Sequence, residues 1–342
     1  MAIEEFLDEW HADSPTVLVH TSGSTGAPKP MFVEKRRMEA SARITCRFLG
    51  LQQGDTALLC MPLDYIAGKM MVVRALTCGL RLVSVPPTGH PLATVDRAVD
   101  FAAMVPLQVW NTLQVPLERE RLRRIRHLII GGGAIDAALA AELRSFPHAV
   151  WSTYGMTETL SHIALRRLSG PEASEWYTPF DGVSLSQTAD GCLVIDAPAV
   201  HDGLLVTNDV VEFQDAGART ADGTGTWNGD VRCFHILGRR DNVICSGGLK
   251  IQAEEVERLL RVHLRAPFYI TKQPDVRLGE AMVLVTEGDT AEVRAVSERV
   301  LPRYWRPRSY LRVDRLPLTA TGKVIRRLPA DILPEKLTGN AL

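Results

Sequence analysis

The sequence predicts an α/β fold: a large N-terminal domain of mostly parallel sheets flanked by helices, joined to a small C-terminal α+β domain. Its 342 residues exceed the usual size of one domain. Up to about residue 180, buried strand patterns alternate with helical patterns, which is typical of a mostly parallel sheet covered by helices. Beyond that point short strands are broken by Gly, Asp and Asn. A charged turn at residues 239–241 marks the predicted boundary between domains 1–239 and 240–342.

The elements of the first domain follow from their apolar spacing and their flanking Gly and Pro residues. Strand patterns occur at residues 16–20, 56–63, 81–87, 127–133 and 148–158. Helix patterns occur at residues 1–12, 33–51, 67–79 and 134–146. Polar or Gly-rich loops follow three of the strands, at residues 21–29, 131–134 and 154–159. Because ligands bind at the carboxyl ends of parallel strands, we expect these three loops on one edge of the sheet.

The C-terminal half has shorter elements. Strand patterns occur at residues 191–198, 202–213, 267–272, 281–288 and 309–314. Helix patterns occur at residues 252–263 and 291–301. In the first of these helices, Val256, Leu259, Leu260 and His263 lie on one face.

Composition excludes several classes of protein. The formal net charge of −1 removes the general electrostatic argument for binding nucleic acid or an anionic membrane. The six cysteines are scattered, with neither zinc spacing nor a disulfide framework. No apolar stretch is long enough for membrane insertion, and the acidic N-terminus is not a signal peptide. We therefore expect a cytoplasmic protein with small-molecule partners; its oligomeric state stays open, a homodimer included.

The segment His20–Pro30, HTSGSTGAPKP, indicates phosphate chemistry. Its Gly, Ser and Thr residues offer backbone N–H groups and hydroxyls to an anion, and Lys29 adds a positive charge. It is not a Walker A loop, because the GxxxxGK[ST] spacing is missing and prolines flank the lysine. A plain solvated turn is the alternative, which the preceding buried strand disfavours.

This segment resembles the phosphate loop of the adenylate-forming superfamily, which includes acyl-CoA synthetases, peptide-synthetase adenylation domains and luciferases. Further motifs of that superfamily follow in order: GGGAI (131–135), YGMTE (154–158), TNDVV (207–211), LGRRDNVICSGGLKIQAEEVE (237–257) and PLTATGKVIRR (317–327). The resemblance covers nearly the whole chain. It implies a two-step reaction, in which a carboxylate attacks the α-phosphate of ATP and a thiol, usually coenzyme A, then displaces AMP.

The resemblance also implies roles for individual residues. ATP would be bound by Thr21, Ser22, Gly23, Ser24, Thr25, Gly26, Lys29, Gly132, Gly133, Ala134, Tyr154, Gly155, Met156, Asp209 and Arg239. The catalytic residues would be Lys323, which bridges the carboxylate and the α-phosphate, Thr157, which contacts the α-phosphate, and Glu158, which ligates Mg²⁺. Taken singly, Tyr154 could be a core aromatic, Asp209 a turn residue, Arg239 part of a solvated turn and Lys323 a surface lysine.

The second half-reaction is assigned in the same way. Asp241 lies at the position of the superfamily's hinge, about which the small domain rotates between the two steps. Coenzyme A would be bound by Ser246, Gly247, Gly248 and Lys250.

The sequence departs from the superfamily's pattern in three places. Only 20 residues precede Thr21, so the chain would lack much of the N-terminal subdomain. Tyr65 replaces a common histidine, and Asn208, which tolerates a left-handed backbone, replaces a glycine. The short N-terminal part and the sequences of residues 20–38 and 62–76 resemble those of the o-succinylbenzoate–CoA ligases of menaquinone biosynthesis.

An o-succinylbenzoate pocket must neutralise a second carboxylate inside apolar surroundings. Arg74 matches a position used for this purpose in those ligases, and the other substrate candidates are Tyr65, Lys69, Ser161 and His162. Arg74 could instead be a surface arginine, and His162 a packed or solvent-facing histidine.

Two other functions stay open at this point. One is a ligase for another small or aromatic acid, or an adenylation enzyme that loads a carrier protein. The other is an inactive nucleotide-binding homologue, against which the presence of Lys29, Glu158, Asp209 and Lys323 argues.

Overall fold

The computed structural model of the protein describes residues 1–20, 30–133, 135, 137–214, 233–318 and 324–328. The chain forms two compact units. The N-terminal unit comprises Met1–Gln187, Val194–Val206 and Phe213–His235, and the C-terminal unit comprises Thr188–Leu193, Thr207–Glu212 and Ile236–Leu342. The division into domains 1–239 and 240–342 stays a prediction.

The described residues form both helices and strands. The helices, in chain order, are α1 (Ile3–His11), α2 (Lys35–Leu49), α3 (Ile66–Cys78), α4 (Pro106–Gln114), α5 (Pro116–Arg123), α6 (Ala137–Leu143), α7 (Ala253–Arg261) and α8 (Thr290–Val300). The strands up to residue 179 are β1 (Thr16–His20), β2 (Pro30–Glu34), β3 (Thr56–Leu59), β4 (Arg81–Ser84), β5 (Phe101–Met104), β6 (His127–Ile130), β7 (Ala149–Gly155), β8 (His162–Arg167) and β9 (Thr178–Pro179). Those that follow are β10 (Ser184–Gln187), β11 (Cys192–Asp196), β12 (Leu204–Phe213), β13 (Phe234–Arg239), β14 (Val243–Ser246), β15 (Leu249–Gln252), β16 (Phe268–Asp275), β17 (Gly279–Thr286) and β18 (Ser309–Arg312).

A seven-stranded sheet forms the centre of the N-terminal unit, in the order β4-β3-β5-β6-β7-β8-β9. The five strands from β4 to β7 are parallel, and β8 and β9 continue the sheet antiparallel. The predicted mostly parallel sheet flanked by helices is therefore confirmed.

Helices cover both faces of this sheet. On one face, buried residues of β3, β5, β6 and β7 form a core with α4, α5 and α6, which Leu128, Val109 and Leu139 exemplify. On the other face Trp151, which follows the core residue Val150 on β7, contacts the ring of Phe48 from α2 at 5.4 Å between centroids. Successive side chains of a strand point to opposite faces, and both faces of the sheet are covered by helices. This explains why every residue of β3 and β5 is buried.

The strand before the predicted phosphate loop lies outside this sheet. β1 pairs antiparallel with β2, from Thr16 opposite Glu34 to His20 opposite Pro30, as a separate two-stranded sheet. The sequence analysis missed β2 and placed β1 in the parallel sheet. The expectation that the loop after β1 shares an edge with the other two loops therefore loses its basis.

The helix boundaries agree with their sequence signals at α2 and α3. Each helix ends at a glycine in the left-handed conformation, Gly50 with φ 64° and Gly79 with φ 67°. The sequence analysis did not identify β5, α4 or α5. Helix α6 begins at Ala137 and is shorter than the predicted 134–146.

The C-terminal unit contains a second sheet, in the order β15-β14-β17-β16, with β18 paired parallel to β17. Helices α7 and α8 pack on it through a core that includes Val256, Leu260 and Val293. This is the predicted α+β arrangement. Helix α7 ends at Arg261, so His263 lies beyond it and is exposed, whereas Leu264 is buried.

Strands β10–β13 form a further sheet, with the four strands in chain order. Among the helices of the described residues, none combines the length and the apolar character that crossing a bilayer requires.

Candidate active site

The carboxyl ends of β6 and β7 bring two of the predicted ATP-binding loops together. These strands are parallel neighbours, with Leu128 opposite Val150, so the residues that follow each strand lie at the same edge of the sheet. β6 leads into Gly131, Gly132 and Gly133. Gly132 has φ 78°, and a Cβ on Gly131 would lie 2.4 Å from Thr153 Oγ1, so both positions require glycine.

Tyr154, near the end of β7, packs in an aromatic cluster. Its ring centroid lies 5.1 Å from Phe234 and 6.0 Å from Tyr177, both edge-on, and 7% of the residue is exposed. Packing against these two rings thus fixes the Tyr154 ring at the edge of the sheet. Its predicted contact with adenine stays a prediction.

The residues after Tyr154 form a tight turn. Met156 N–H bonds to Thr159 Oγ1 at 3.0 Å, and a 3₁₀ turn covers Thr157–Thr159. Thr157 is buried, whereas Glu158 is exposed. An exposed carboxylate suits a hard cation such as Mg²⁺. Within the described residues no group of three or more His, Cys, Asp and Glu side chains is placed to hold a metal.

Gly155 allows the turn to close against β8. A Cβ at this position would lie 2.2 Å from the carbonyl oxygen of Ser161 and 2.5 Å from Cα of His162. We expect Gly155→Ala to lower the free energy of unfolding by about 3 kcal/mol, because two backbone segments must separate. Gly133→Ala is the matched control, since its Cβ would make only ordinary contact with Pro106 at 3.5 Å. Urea unfolding of both variants checks this; equal stability would contradict it.

A second group of predicted residues lies within the C-terminal unit. Arg239 Nη1 donates to Asp209 Oδ1 at 3.1 Å, and its Nη2 donates to Asp241 Oδ2 at 3.0 Å. The predicted ribose-binding pair Asp209 and Arg239 and the predicted hinge residue Asp241 are therefore neighbours. The Asp209 side chain is 15% exposed and that of Arg239 37%.

Asn208 extends this group. Its Nδ2 donates to Asp241 Oδ2 at 3.3 Å, and its Oδ1 accepts from Arg240 Nη2 at 2.9 Å. Asn208 lies within β12 and does not adopt the left-handed backbone that asparagine tolerates, since Leu160 is the one non-glycine residue with positive φ in the described ranges.

The predicted coenzyme A residues form a hairpin. β14 and β15 pair with Ser246 opposite Leu249, and Lys250 opposite Cys245. Gly247 (φ 58°) and Gly248 (φ 83°) make the two-residue turn, which requires positive φ at both positions. The turn alone explains the glycines, so their role at a thiol channel stays a prediction. The Lys250 side chain is exposed.

Helix α3 carries the acid-pocket candidates. Tyr65, at the N-cap of α3, is half-buried. Lys69 is 2% exposed, and its Nζ donates to Glu9 Oε2 at 3.1 Å and to the carbonyl oxygen of Leu18 at 2.9 Å. Because Glu9 already neutralises Lys69, this placement does not support the predicted contact between Lys69 and a substrate.

Arg74 is a buried cation without a counter-ion. The residue is 2% exposed, and no carboxylate of the described residues pairs with it. Its Nη2 donates to Ser161 Oγ at 2.7 Å, its Nη1 contacts Met71 Sδ at 3.9 Å, and its Nε is buried without a hydrogen-bond partner. Burial lowers the pKa of Arg74 to about 10, so it stays charged at neutral pH. The alternative of a surface arginine was wrong.

Ser161 and His162 complete the surroundings of Arg74. Ser161 Oγ lies 3.1 Å from His162 Nδ1, and His162 Nε2 lies 3.2 Å from Thr45 Oγ1 on α2. Burial and the nearby Arg74 hold the pKa of His162 well below its usual value, so the ring is neutral. The sequence analysis missed Thr45; nothing in its helical surroundings points to a residue 117 positions away.

Several predicted residues lie outside the described part of the chain. These are Thr21, Ser22, Gly23, Ser24, Thr25, Gly26, Lys29, Ala134 and Lys323. Described residues on either side of positions 319–323 pair with each other: Leu318 bridges to Val324, and Ile325 N–H bonds to the carbonyl oxygen of Pro317 at 2.8 Å.

Comparison with known proteins gives relatives over most of the chain. A solved structure from Dyadobacter fermentans, described as an acyl-CoA synthetase (AMP-forming)/AMP-acid ligase II-like protein, is 34% identical, with a TM-score of 0.62 over 94% of this chain and 90% of that one. The 2-succinylbenzoate–CoA ligase of Bacillus mycoides is 25% identical over 95% of this chain and 72% of its own length.

A third comparison shows the fold. The o-succinylbenzoate CoA synthetase of Bacillus subtilis, solved with its acyl-adenylate intermediate, has a TM-score of 0.71 at 23% identity, over 90% of this chain and 67% of that one. Residues 4–186 match the family model described as AMP-binding enzyme, which is more than half of the chain. The chain therefore belongs to the AMP-binding enzyme family.

Proposed function

We propose that this protein is an AMP-forming acid–thiol ligase that converts o-succinylbenzoate to its coenzyme A thioester. Family membership supports the adenylating chemistry, and the names of relatives such as the Bacillus mycoides ligase support the acid. The observation that carries the choice of acid is the buried, unpaired Arg74, because a second carboxylate would supply its missing counter-ion.

In the first step a carboxylate oxygen of the acid attacks the α-phosphorus of ATP. The bond to the bridging oxygen breaks, and pyrophosphate leaves. Thr157 would contact the α-phosphate, and Glu158 would hold Mg²⁺, which neutralises charge on the phosphates when bound. Gly132 and Gly133 would let the backbone approach the base, and Tyr154 would lie against it.

The ribose is assigned to Asp209 and Arg239. Asp209 would accept hydrogen bonds from the ribose hydroxyls, while Arg239, bonded to Asp209 at 3.1 Å, would hold that carboxylate in place and donate to the ribose. Lys29 and the rest of residues 21–29 would bind the leaving phosphates, and Lys323 would stabilise the charge that develops between the two reactants. These last roles rest on the resemblance of the motifs.

In the second step the thiol of coenzyme A attacks the acyl carbon, and AMP leaves. Rotation at Asp241 would exchange Lys323 for the hairpin around Gly247 and Gly248, next to the thiol. Ser246 and Lys250 would contact coenzyme A. A cytoplasmic place in menaquinone biosynthesis belongs to the same proposal, and the oligomeric state, a homodimer included, stays open.

Acid-dependent exchange between ATP and pyrophosphate tests the function. The full chain is assayed with o-succinylbenzoate, benzoate and a panel of small aromatic and aliphatic acids, and coenzyme A is then added to the mixtures that exchange. Exchange with o-succinylbenzoate followed by thioester formation is the expected result.

Each other outcome selects a different function. Exchange with other acids only would indicate a different acid–CoA ligase. Adenylate that reacts with a carrier protein but not with coenzyme A would indicate a carrier-loading enzyme. No exchange with any acid would overturn the proposal and leave a nucleotide-binding homologue.

A further inference from the structure

A chain of hydrogen bonds connects Arg74 to the backbone of helix α2. Arg74 Nη2 lies 2.7 Å from Ser161 Oγ, Ser161 Oγ lies 3.1 Å from His162 Nδ1, and His162 Nε2 lies 3.2 Å from Thr45 Oγ1. Thr45 Oγ1 in turn donates to the carbonyl oxygen of Ser41 at 3.1 Å. His162 is 6% exposed and Thr45 is fully buried, so water does not compete with the bond between them.

The direction of the chain is fixed at its far end. A threonine hydroxyl has one hydrogen, and Thr45 uses it on the Ser41 carbonyl. With its hydrogen on that carbonyl, Thr45 Oγ1 accepts from His162, and His162 Nε2 carries the proton. In a neutral imidazole the other nitrogen is then an acceptor, so Ser161 donates its hydroxyl hydrogen to His162 Nδ1.

The field of Arg74 selects the same direction. The guanidinium lies on the Nδ1 side of His162, one hydroxyl away. A positive charge favours a lone pair turned towards it and an N–H turned away from it. Protonation of both ring nitrogens is excluded by the same charge and by burial, which together keep His162 neutral.

Ser161 consequently has no hydrogen left to donate. Its hydrogen points to His162, and one of its lone pairs accepts from Arg74, so it has no hydrogen with which to bind a substrate carboxylate. Arg74 is held from one side by Ser161, while its Nε has no partner. The N–H groups left for an anionic group are therefore those of Arg74 itself.

We propose that Thr45 is a positioning residue for the acid site: it fixes the tautomer of His162, which orients Ser161, which holds the Arg74 guanidinium for the second carboxylate of the acid. This inference rests on the proposed function, because it takes Arg74 as the site of that carboxylate. Ser161 and His162 then support Arg74 and are not themselves contacts of the substrate.

The test compares Thr45→Val, Thr45→Ser and Thr112→Val. Valine keeps the volume of Thr45 but removes the acceptor, and serine keeps the acceptor. Thr112 is the matched control, because it is a fully buried helical threonine whose hydroxyl has no hydrogen-bond partner. For each variant the KM for o-succinylbenzoate, the KM for ATP and kcat are measured, and ¹⁵N NMR reports which nitrogen of His162 carries the proton.

In the wild type the proton is expected on Nε2 of a neutral ring. Thr45→Val should raise the KM for o-succinylbenzoate about tenfold, the change expected for loss of one buried hydrogen bond, and should alter the His162 signals. The KM for ATP and kcat should stay within twofold. Thr45→Ser and Thr112→Val should behave as the wild type.

A wild-type proton on Nδ1, or a Thr45→Val variant with unchanged KM for the acid, would overturn the positioning role while leaving the proposed function intact. A wild type that activates other acids but not o-succinylbenzoate would overturn the proposed function and with it the role of Thr45 towards this acid. The NMR assignment of His162 would stand in that case, so the two failures are distinguishable.

Discussion

Replacing Arg74 with alanine is expected to weaken the use of o-succinylbenzoate by roughly 2–4 kcal/mol in kcat/KM, as for loss of a buried charged partner. The second carboxylate would then enter the site without a counter-ion. Benzoate lacks that carboxylate, so its exchange rate should change far less. Pyrophosphate exchange with both acids measures the difference, and equal effects on the two acids would remove Arg74 from the pocket.

A stability measurement on a variant at position 74 distinguishes a role of Arg74 in binding the acid from a role in stabilising the fold. Among the described residues, the buried Arg74 has one oxygen partner and no carboxylate, an arrangement that destabilises the ligand-free protein. Arg74→Met fills the space without the charge, and we expect it to raise the free energy of unfolding by about 1–3 kcal/mol. A variant that loses both activity and stability would indicate that Arg74 serves the fold.

Replacing Arg326 with methionine is expected to destabilise the C-terminal unit by about 3 kcal/mol. The carboxylate of Glu257 on α7 is 2% exposed, and it accepts from Arg326 Nε at 3.0 Å and Nη2 at 2.7 Å. It also accepts from the backbone N–H of Ile270 at 2.9 Å. Removing Arg326 leaves a buried negative charge with only part of its compensation.

Hydrogen exchange of the Ile270 amide and its neighbours in β16 measures this effect. Arg258→Met is the matched control, because Arg258 bonds Glu255 through two nitrogens on the same helix, but at the surface, and should cost less than about 0.5 kcal/mol. Adding Glu257→Leu to Arg326→Met should restore part of the protection. Arg326→Met with unchanged exchange would show that the pair contributes no net stability.

The sequence correctly predicted the helices and strands that depend on interactions between residues close together in the chain. Helix α3 and its end at Gly79 follow from apolar spacing and a left-handed glycine, and β6 and β7 follow from β-branched runs that lead into Gly-rich or polar loops. The parallel sheet followed from their alternation. The partner of β1 could not be predicted in this way, since which strand pairs with which depends on residues far along the chain.

The candidate site shows the same limit. Resemblance of motifs named Tyr154, Glu158 and Asp209, and resemblance to the o-succinylbenzoate–CoA ligases named Arg74. That Lys69 already has a counter-ion while Arg74 has none could not be read from two cations five positions apart on one helix. It depends on Glu9 and on the absence of an acid among distant neighbours in the described chain.

The pairing of β7 with β8 has a consequence for the range of acids. Tyr154, proposed to lie against the base, stands opposite Ala164, and Gly155 stands opposite His162, whose neighbour Ser161 holds Arg74. Adjacent strands are about 4.8 Å apart, and the register shifts between Tyr154 and Gly155. In the proposed site the sheet would thus fix the distance between the nucleotide and the second carboxylate of the acid. We therefore expect a diacid one methylene longer or shorter to misplace the carboxylate that attacks ATP.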